Sequence, residues 1–374
     1  MMRSVIISLV LVLGALSCTH DVEPISEPTT QLTLKWNQSY PTETKENVLL
    51  GLNWALANIG AKNAIQPSNG FTENTHQLVL EINLLGFNET AVNELQKLHL
   101  AVKNSEEYQH NQTIDVGRYV TLLIGASAHY NRITQVPIHL RDIIASYDLQ
   151  QEVGFIDNSG ISSNHRTLKF SKQKGFNQVF VSTEVDDASG EILEFETIEI
   201  MENGHLRFGI FDQDSNRIDA SNSSFSTAGK PAKCMWCHES KILPIFNTQN
   251  NHAGYLSYLQ LKDSLINFQN NLERWQSNLP NGIDFSQKQD HAQMELLYIT
   301  FMLPSAQNLS TEWGISETEV IDLLKSLPQF VTPEFLFLGK RYAREDAQNY
   351  APFESLKVSS SVREKSELEV NYID

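Results

Sequence analysis

The sequence predicts an α+β fold, and three observations carry that reading. In the first third of the chain, alternating apolar residues twice give way to residues at helical spacing. A middle stretch then adopts a period of two, is rich in β-branched and aromatic residues, and is split by an Asn-Gly pair. Further on, long amphipathic helical patterns take over. The expected organisation is an N-terminal α/β-type unit over 32–150, antiparallel β-hairpins over 151–220, a mostly α-helical region over 221–350 and a polar tail over 351–374. A chain of 374 residues with 41% apolar and 20% charged residues has enough material for two or three such units.

Residues 1–18 differ in character from the rest of the chain. Arg3 precedes an apolar run from Val5 to Leu16, then come Ser17 and Cys18. This is the pattern of an export signal, and the run is too short to span a bilayer, which takes about 20 apolar residues. Ala15-Leu16-Ser17-Cys18 resembles a bacterial lipobox, with Ala15 where Leu is more common, and the resemblance implies lipidation at Cys18. Thr19 is not the Asp that resembles an inner-membrane retention signal, so a periplasm-facing outer-membrane lipoprotein is favoured. An ordinary cleaved signal that contains a Cys stays open. Residues 19–31, with Pro24 and Pro28, read as a tether.

Within the N-terminal unit Leu32, Leu34 and Trp36 alternate, and Val48, Leu49, Leu52, Leu56 and Ile59 come next at helical spacing up to Gly60. Leu78, Leu80 and Ile82 alternate again, Asn88 can cap, and Val92, Leu95, Leu98 and Val102 form a second helical stripe. Helical patterns near 116–128 and 138–147 complete the unit. His99, His110, His129 and His139 are not spaced like a metal site and read as packing or surface residues.

In the middle region the runs 178–184, 192–201 and 205–211 read as strands. Asn203-Gly204 predicts a tight hairpin with both turn residues at positive φ. That register would put Ile198 and Ile200 on the face of Arg207, so a bulge or a sheet covered on both faces is expected as well. Residues 221–231 are small, polar and contain Gly and Pro, and read as a linker.

The linker delivers the chain to Cys234-Met235-Trp236-Cys237-His238, a C-x-x-C-H pentapeptide. The motif resembles the haem-attachment sequence of c-type cytochromes. That resemblance implies one haem c, with Cys234 and Cys237 as covalent anchors and His238 as proximal iron ligand. The chain has three cysteines, and the lipid and the haem would use them all. Small monohaem cytochromes c usually continue with Gly-rich sequence, whereas here the next Gly is Gly254. The resemblance therefore covers the motif and not a whole cytochrome domain.

A sixth iron ligand would come from downstream. His252 precedes a helical stripe of Tyr255, Tyr258, Leu261, Leu265, Phe268, Leu272 and Trp275. A second helix near 287–303 places His291, Met294, Tyr298 and Met302 on one face. Met302, just before Leu303-Pro304, is the first candidate, Met294 the second and His252 the third. Trp236, Phe246 or Trp313 could pack on the porphyrin, and the Pro244 carbonyl could hold the second ring nitrogen of His238. Ser316-Glu317-Thr318-Glu319 and Thr332-Pro333-Glu334 open two further helices.

A net charge of −17 argues against nucleic acid and against an anionic membrane surface as partners, and suits a basic redox protein. The expected function is that of an exported, lipid-anchored monohaem electron carrier, with an enzymatic role left open. Two alternatives stand beside it: a five-coordinate haem enzyme or sensor, and a non-haem scaffold lipoprotein with a Cys234–Cys237 disulfide. No other catalytic motif is present in the sequence.

Overall fold

The computed structural model describes residues 30–65, 77–239, 241–242, 246–279, 283, 285 and 291–374. The export segment, Cys18, nearly all of the tether and Pro244 lie outside the described residues. Among the described residues no helix is long and apolar enough to cross a membrane.

The chain is mixed α+β, as the sequence predicts. A three-stranded sheet has the order β2-β1-β3, with β1 (Gln31–Lys35) antiparallel to β2 (Gln77–Glu81) and parallel to β3 (Ile114–Asp115). Leu32, Leu34, Leu78 and Leu80 are the alternate residues of β1 and β2, and all four are buried. The first two helices are α1 (Lys45–Ala57) and α2 (Glu89–Asn104), the latter capped by the Asn88 side chain on Ala91 N at 2.9 Å. Then come α3 (Glu106–Asn111), α4 (Val116–Val120), a π-helical turn over Thr121–Gly125, α5 (Ser127–Ile133) and α6 (Leu140–Ser146). The apolar pattern near 116–128 is thus two short helices joined by the π turn. His99 is fully buried, with Nε2 2.9 Å from the Tyr119 hydroxyl, and is a packing residue.

The middle of the chain forms a five-stranded antiparallel sheet in sequential order: β4 (Gly154–Ile156), β5 (His165–Phe170), β6 (Val179–Val185), β7 (Ile192–Ile200) and β8 (Leu206–Asp212). The β7-β8 turn differs from the predicted two-residue form. Gly204 alone takes positive φ, at 89°, while Gly204 N donates to Met201 O at 2.9 Å and Met201 N to His205 O at 2.8 Å. The longer turn moves the register by one residue, which exchanges the two faces of a strand. Ile198 therefore pairs with Phe208 and Ile200 with Leu206, while Glu199 pairs with Arg207 and holds its guanidinium at 2.7 Å. The turn removes the conflict of faces that the Asn-Gly reading leaves.

After the sheet come α7 (Pro231–His238), α8 (Tyr258–Gln276), α9 (His291–Met302) and α10 (Ala306–Trp313). Helix α11 (Glu317–Leu324) opens with the predicted capping box, and α12 (Arg344–Ala347) is short. Thr332-Pro333-Glu334 opens a 3₁₀ stretch over Pro333–Leu338 where the sequence suggested an α-helix. Trp313 belongs to a small second core with Leu309, Val320, Leu324, Tyr342 and Phe353. That placement takes it away from the haem-packing role considered for it.

The segment 351–374 has no helix or strand, yet it is packed down. Val358, Val362, Val370 and Ile373 are buried, and Tyr372 N donates to His129 Nε2 at 2.9 Å. A buried ion network ties the C-terminal region to the N-terminal unit. Arg118, with no exposed surface, reaches Glu107 at 3.1 Å and Glu312 at 3.0 Å and donates to Leu356 O at 2.5 Å. Arg344 completes it with two 2.8 Å bonds to Glu312.

Breaking a buried ion pair on one side leaves a charge without compensation. Arg118→Met is therefore expected to cost about 3–5 kcal/mol in urea unfolding. His99 supplies a pH test. Burial, with Lys103 adding to it, lowers its pKa to about 3. An unfolded imidazole titrates near 6.5, so between pH 6.5 and 3 the unfolded chain binds more protons and stability falls with falling pH. From pH 7 to 5 the wild type should lose about 2 kcal/mol more than His99→Gln, read from unfolding midpoints at the two pH values.

Candidate haem-attachment site

The pentapeptide lies on α7, and the local sequence explains why a helix forms there. Pro231 occupies its first turn, where the missing N–H costs nothing. The helix stops at Glu239, whose left-handed backbone (φ 47°) lets its N–H donate to Met235 O at 3.0 Å. Lys230, just before the helix, is fully buried. Its ammonium donates to Gly125 O at 3.0 Å, Ser361 O at 2.7 Å and Ser366 Oγ at 2.9 Å, and pairs with Glu369. Gly229 has φ of 70°, and a Cβ there would run into Arg363 O. The helix start is thus clamped between the π turn and the C-terminal segment.

In a helix, positions i, i+3 and i+4 share a face. Cys234, Cys237 and His238 have that spacing, so two sulfurs and an imidazole point the same way. Both cysteines are free and partly buried. Burial pushes the Cys234 thiol well up, with Glu196 of β7 adding to the effect and Arg166 of β5 opposing it. Burial also raises Cys237, while Lys233 and Arg363 pull it back. The His238 ring stacks on Phe208 of β8, with centroids 5.8 Å apart and planes at 30°. Burial lowers its pKa to about 4 against the opposing Lys241 backbone, so the imidazole is neutral at neutral pH. Its Nδ1 is buried and has no hydrogen-bond partner among the described residues. The expected acceptor, the Pro244 carbonyl, lies outside them.

Trp236 points elsewhere. At about 100° per residue it sits roughly 160° around the helix from both Cys234 and His238. It is 42% exposed and carries the Arg363 guanidinium 5.2 Å from its ring centroid. Arg363 pairs with Glu295 of α9 at 2.9 Å.

The structure places Met302 and His252, two of the three candidate sixth ligands, away from the cysteine face. Met302 lines a cavity of about 360 Å³ together with Tyr298, Thr332 and Arg363, on the Trp236 side. Met294, on the same helix, is buried in the main core. The His252 Nε2 lies 2.6 Å from the Asp157 carboxylate, and its ring centroid is 4.0 Å from that of Phe155, beside edge strand β4. Helix periodicity groups residues on one helix, but it says nothing of which side of another helix they meet. Phe246 packs against the main core.

Two residues that no sequence motif singles out, Arg166 and Glu196, are close enough to Cys234 to act on its thiol electrostatically. Their side chains pair at 2.7 Å, and Arg166 also pairs with buried Glu184. Glu196 Oε1 is buried with no hydrogen-bond partner. The strand alternation 194, 196, 198 carried the signal, since it sets two acids in line with an Ile on one face.

These residues fit a covalently attached haem. The sulfurs are unbonded and share a face with a neutral imidazole, and buried polar atoms beside them lack partners. Among the described residues no group of three or more His, Cys, Asp or Glu side chains forms a further metal site. No family model, curated protein or solved structure matches this chain.

The thiols of the haem-free protein give a direct check. A thiol reacts as its thiolate, and Cys234 is the more strongly raised of the two. In iodoacetamide labelling at pH 8, Cys237→Ser should be alkylated at least about tenfold more slowly than Cys234→Ser.

Proposed function

We propose that the protein carries one haem c, bonded through Cys234 and Cys237 and ligated by His238, and that it acts in electron transfer as an exported, lipid-anchored protein. The observation that carries this reading is the common face of the two free thiols and the neutral imidazole on α7. Bound haem would supply one-electron chemistry, with a potential set by its ligands and surroundings. The chain's own part is to fix the helix start through Lys230, to keep His238 neutral and oriented against Phe208, and to wall the site with apolar surface.

Anchoring through a lipid at Cys18 and residence at the outer membrane belong to the same proposal and rest on the N-terminal sequence alone. The acidic net charge of −17 suits a basic protein partner, with the lipid as the chain's only tie to a membrane. The scaffold reading with a Cys234–Cys237 disulfide predicts the opposite result in one experiment. The full chain is expressed with a c-type haem maturation system, denatured, and examined by haem stain and alkaline pyridine spectrum. Covalent haem is expected in the wild type, with loss of the stain in the Cys234→Ala/Cys237→Ala double variant. A stain-negative wild type would remove the proposal.

A further inference from the structure

The five-stranded sheet is covered unevenly on the face that α7 meets. The register shows which residues share that face: Leu168, Ser182 and Glu196 are in line across β5, β6 and β7, and Ile198 is the next residue of β7 on the same face. Helix α7 packs on β8 at one side. Helix α8 packs at the other, with Phe268 against Phe170 and Phe180, and Leu261 against Gly154. The four residues between the helices are only half-buried, although they sit on central strands of the sheet. Centre-strand side chains under two helices are usually closed off, whereas these four keep accessible surface and form a shallow trough.

Three kinds of group border the trough. Cys234 shares a helix face with His238, whose ring stacks on Phe208; Phe208 pairs with Ile198, next to Glu196 on the same sheet face; and Ile242 N donates to Gln269 Oε1 of α8 at 2.5 Å. Neither α8 nor the α7-facing side of β5 to β8 contains a His or Met. The Met302 cavity is on the far side of α7, with Trp236 and Arg363 between.

Resting on the haem reading above, we infer that the ring attached at Cys234 and Cys237 lies in this trough with the Arg166–Glu196 pair beside it, and that its sixth iron position is open to a small exogenous ligand such as carbon monoxide or imidazole. The protein is then a haem centre able to bind a small molecule, and Glu196 is a positioning residue whose charge biases the iron. Its unpartnered Oε1 is an acceptor available to a ligand or water that donates a hydrogen.

The test uses the holoprotein. Dithionite-reduced wild type should bind carbon monoxide with a shift of the Soret band, and Met302→Ala and Met294→Ala should bind it within about twofold of wild type. Glu196→Gln removes a negative charge that favours the oxidised iron, so its reduction potential should rise. Glu345→Gln, at the Met302 cavity, should leave the potential unchanged. A wild type that rejects carbon monoxide until Met302, Met294 or His252 is replaced by Ala would overturn the open position. A shift in Glu345→Gln with none in Glu196→Gln would overturn the trough. Both outcomes require covalent haem to be present, so they are distinct from a stain-negative chain, which removes the haem reading itself.

Discussion

The tertiary structure depends on two buried guanidinium groups gathered around one buried carboxylate. Glu312 accepts from Arg118 and Arg344 at once, and both cations also lie against the ring of Phe301, at 4.6 and 4.2 Å. Burial would raise the Glu312 carboxyl, but Arg344 and Arg118 more than offset it and hold it below the usual range. Arg118 pairs with Glu107 in the N-terminal unit and Arg344 with Glu312 near the other end of the chain, and the Arg118–Glu312 bond joins the two pairs. The network therefore makes one body of segments that the sequence presents as successive units.

The same closure places the helix that carries the pentapeptide. Once Leu356 O has accepted from Arg118, the chain continues as the 358–374 strap, whose Ser361, Ser366 and Glu369 hold the Lys230 ammonium. A buried ammonium needs several partners to offset its lost hydration, and here most of them come from a segment more than a hundred residues away. Helix α7 is thereby pinned by the residue that precedes it, with its cysteine face towards the sheet and its Trp236 face towards α9. The orientation of the site is set by a charge that is not part of it.

Local chemistry was legible in the chain. The alternation in β1, β2, β6 and β7 and the apolar stripes of α1, α2 and α8 come from periods of two and 3.6, which depend only on backbone geometry. Asn88 and Ser316 cap the helices that the sequence assigns to them. The shared face of Cys234, Cys237 and His238 needs nothing beyond a helix. Less legible was the 201–205 turn, where one extra residue reverses both faces of the β7-β8 pair, a difference that composition does not register.

The sequence by itself determined the α+β class, the positions of most elements and the common helical face of Cys234, Cys237 and His238. Only the tertiary structure decided what those residues face. Met302 is suitably spaced along the chain, yet it lines a cavity on the Trp236 side, while Arg166 and Glu196, far off in sequence and without a motif, are brought by strand pairing to within electrostatic reach of Cys234. The physical reason is that spacing along a helix fixes angles about its own axis. Which neighbour occupies each angle is set by long-range burial of charge and apolar surface, and here by the ion network that closes the chain on itself.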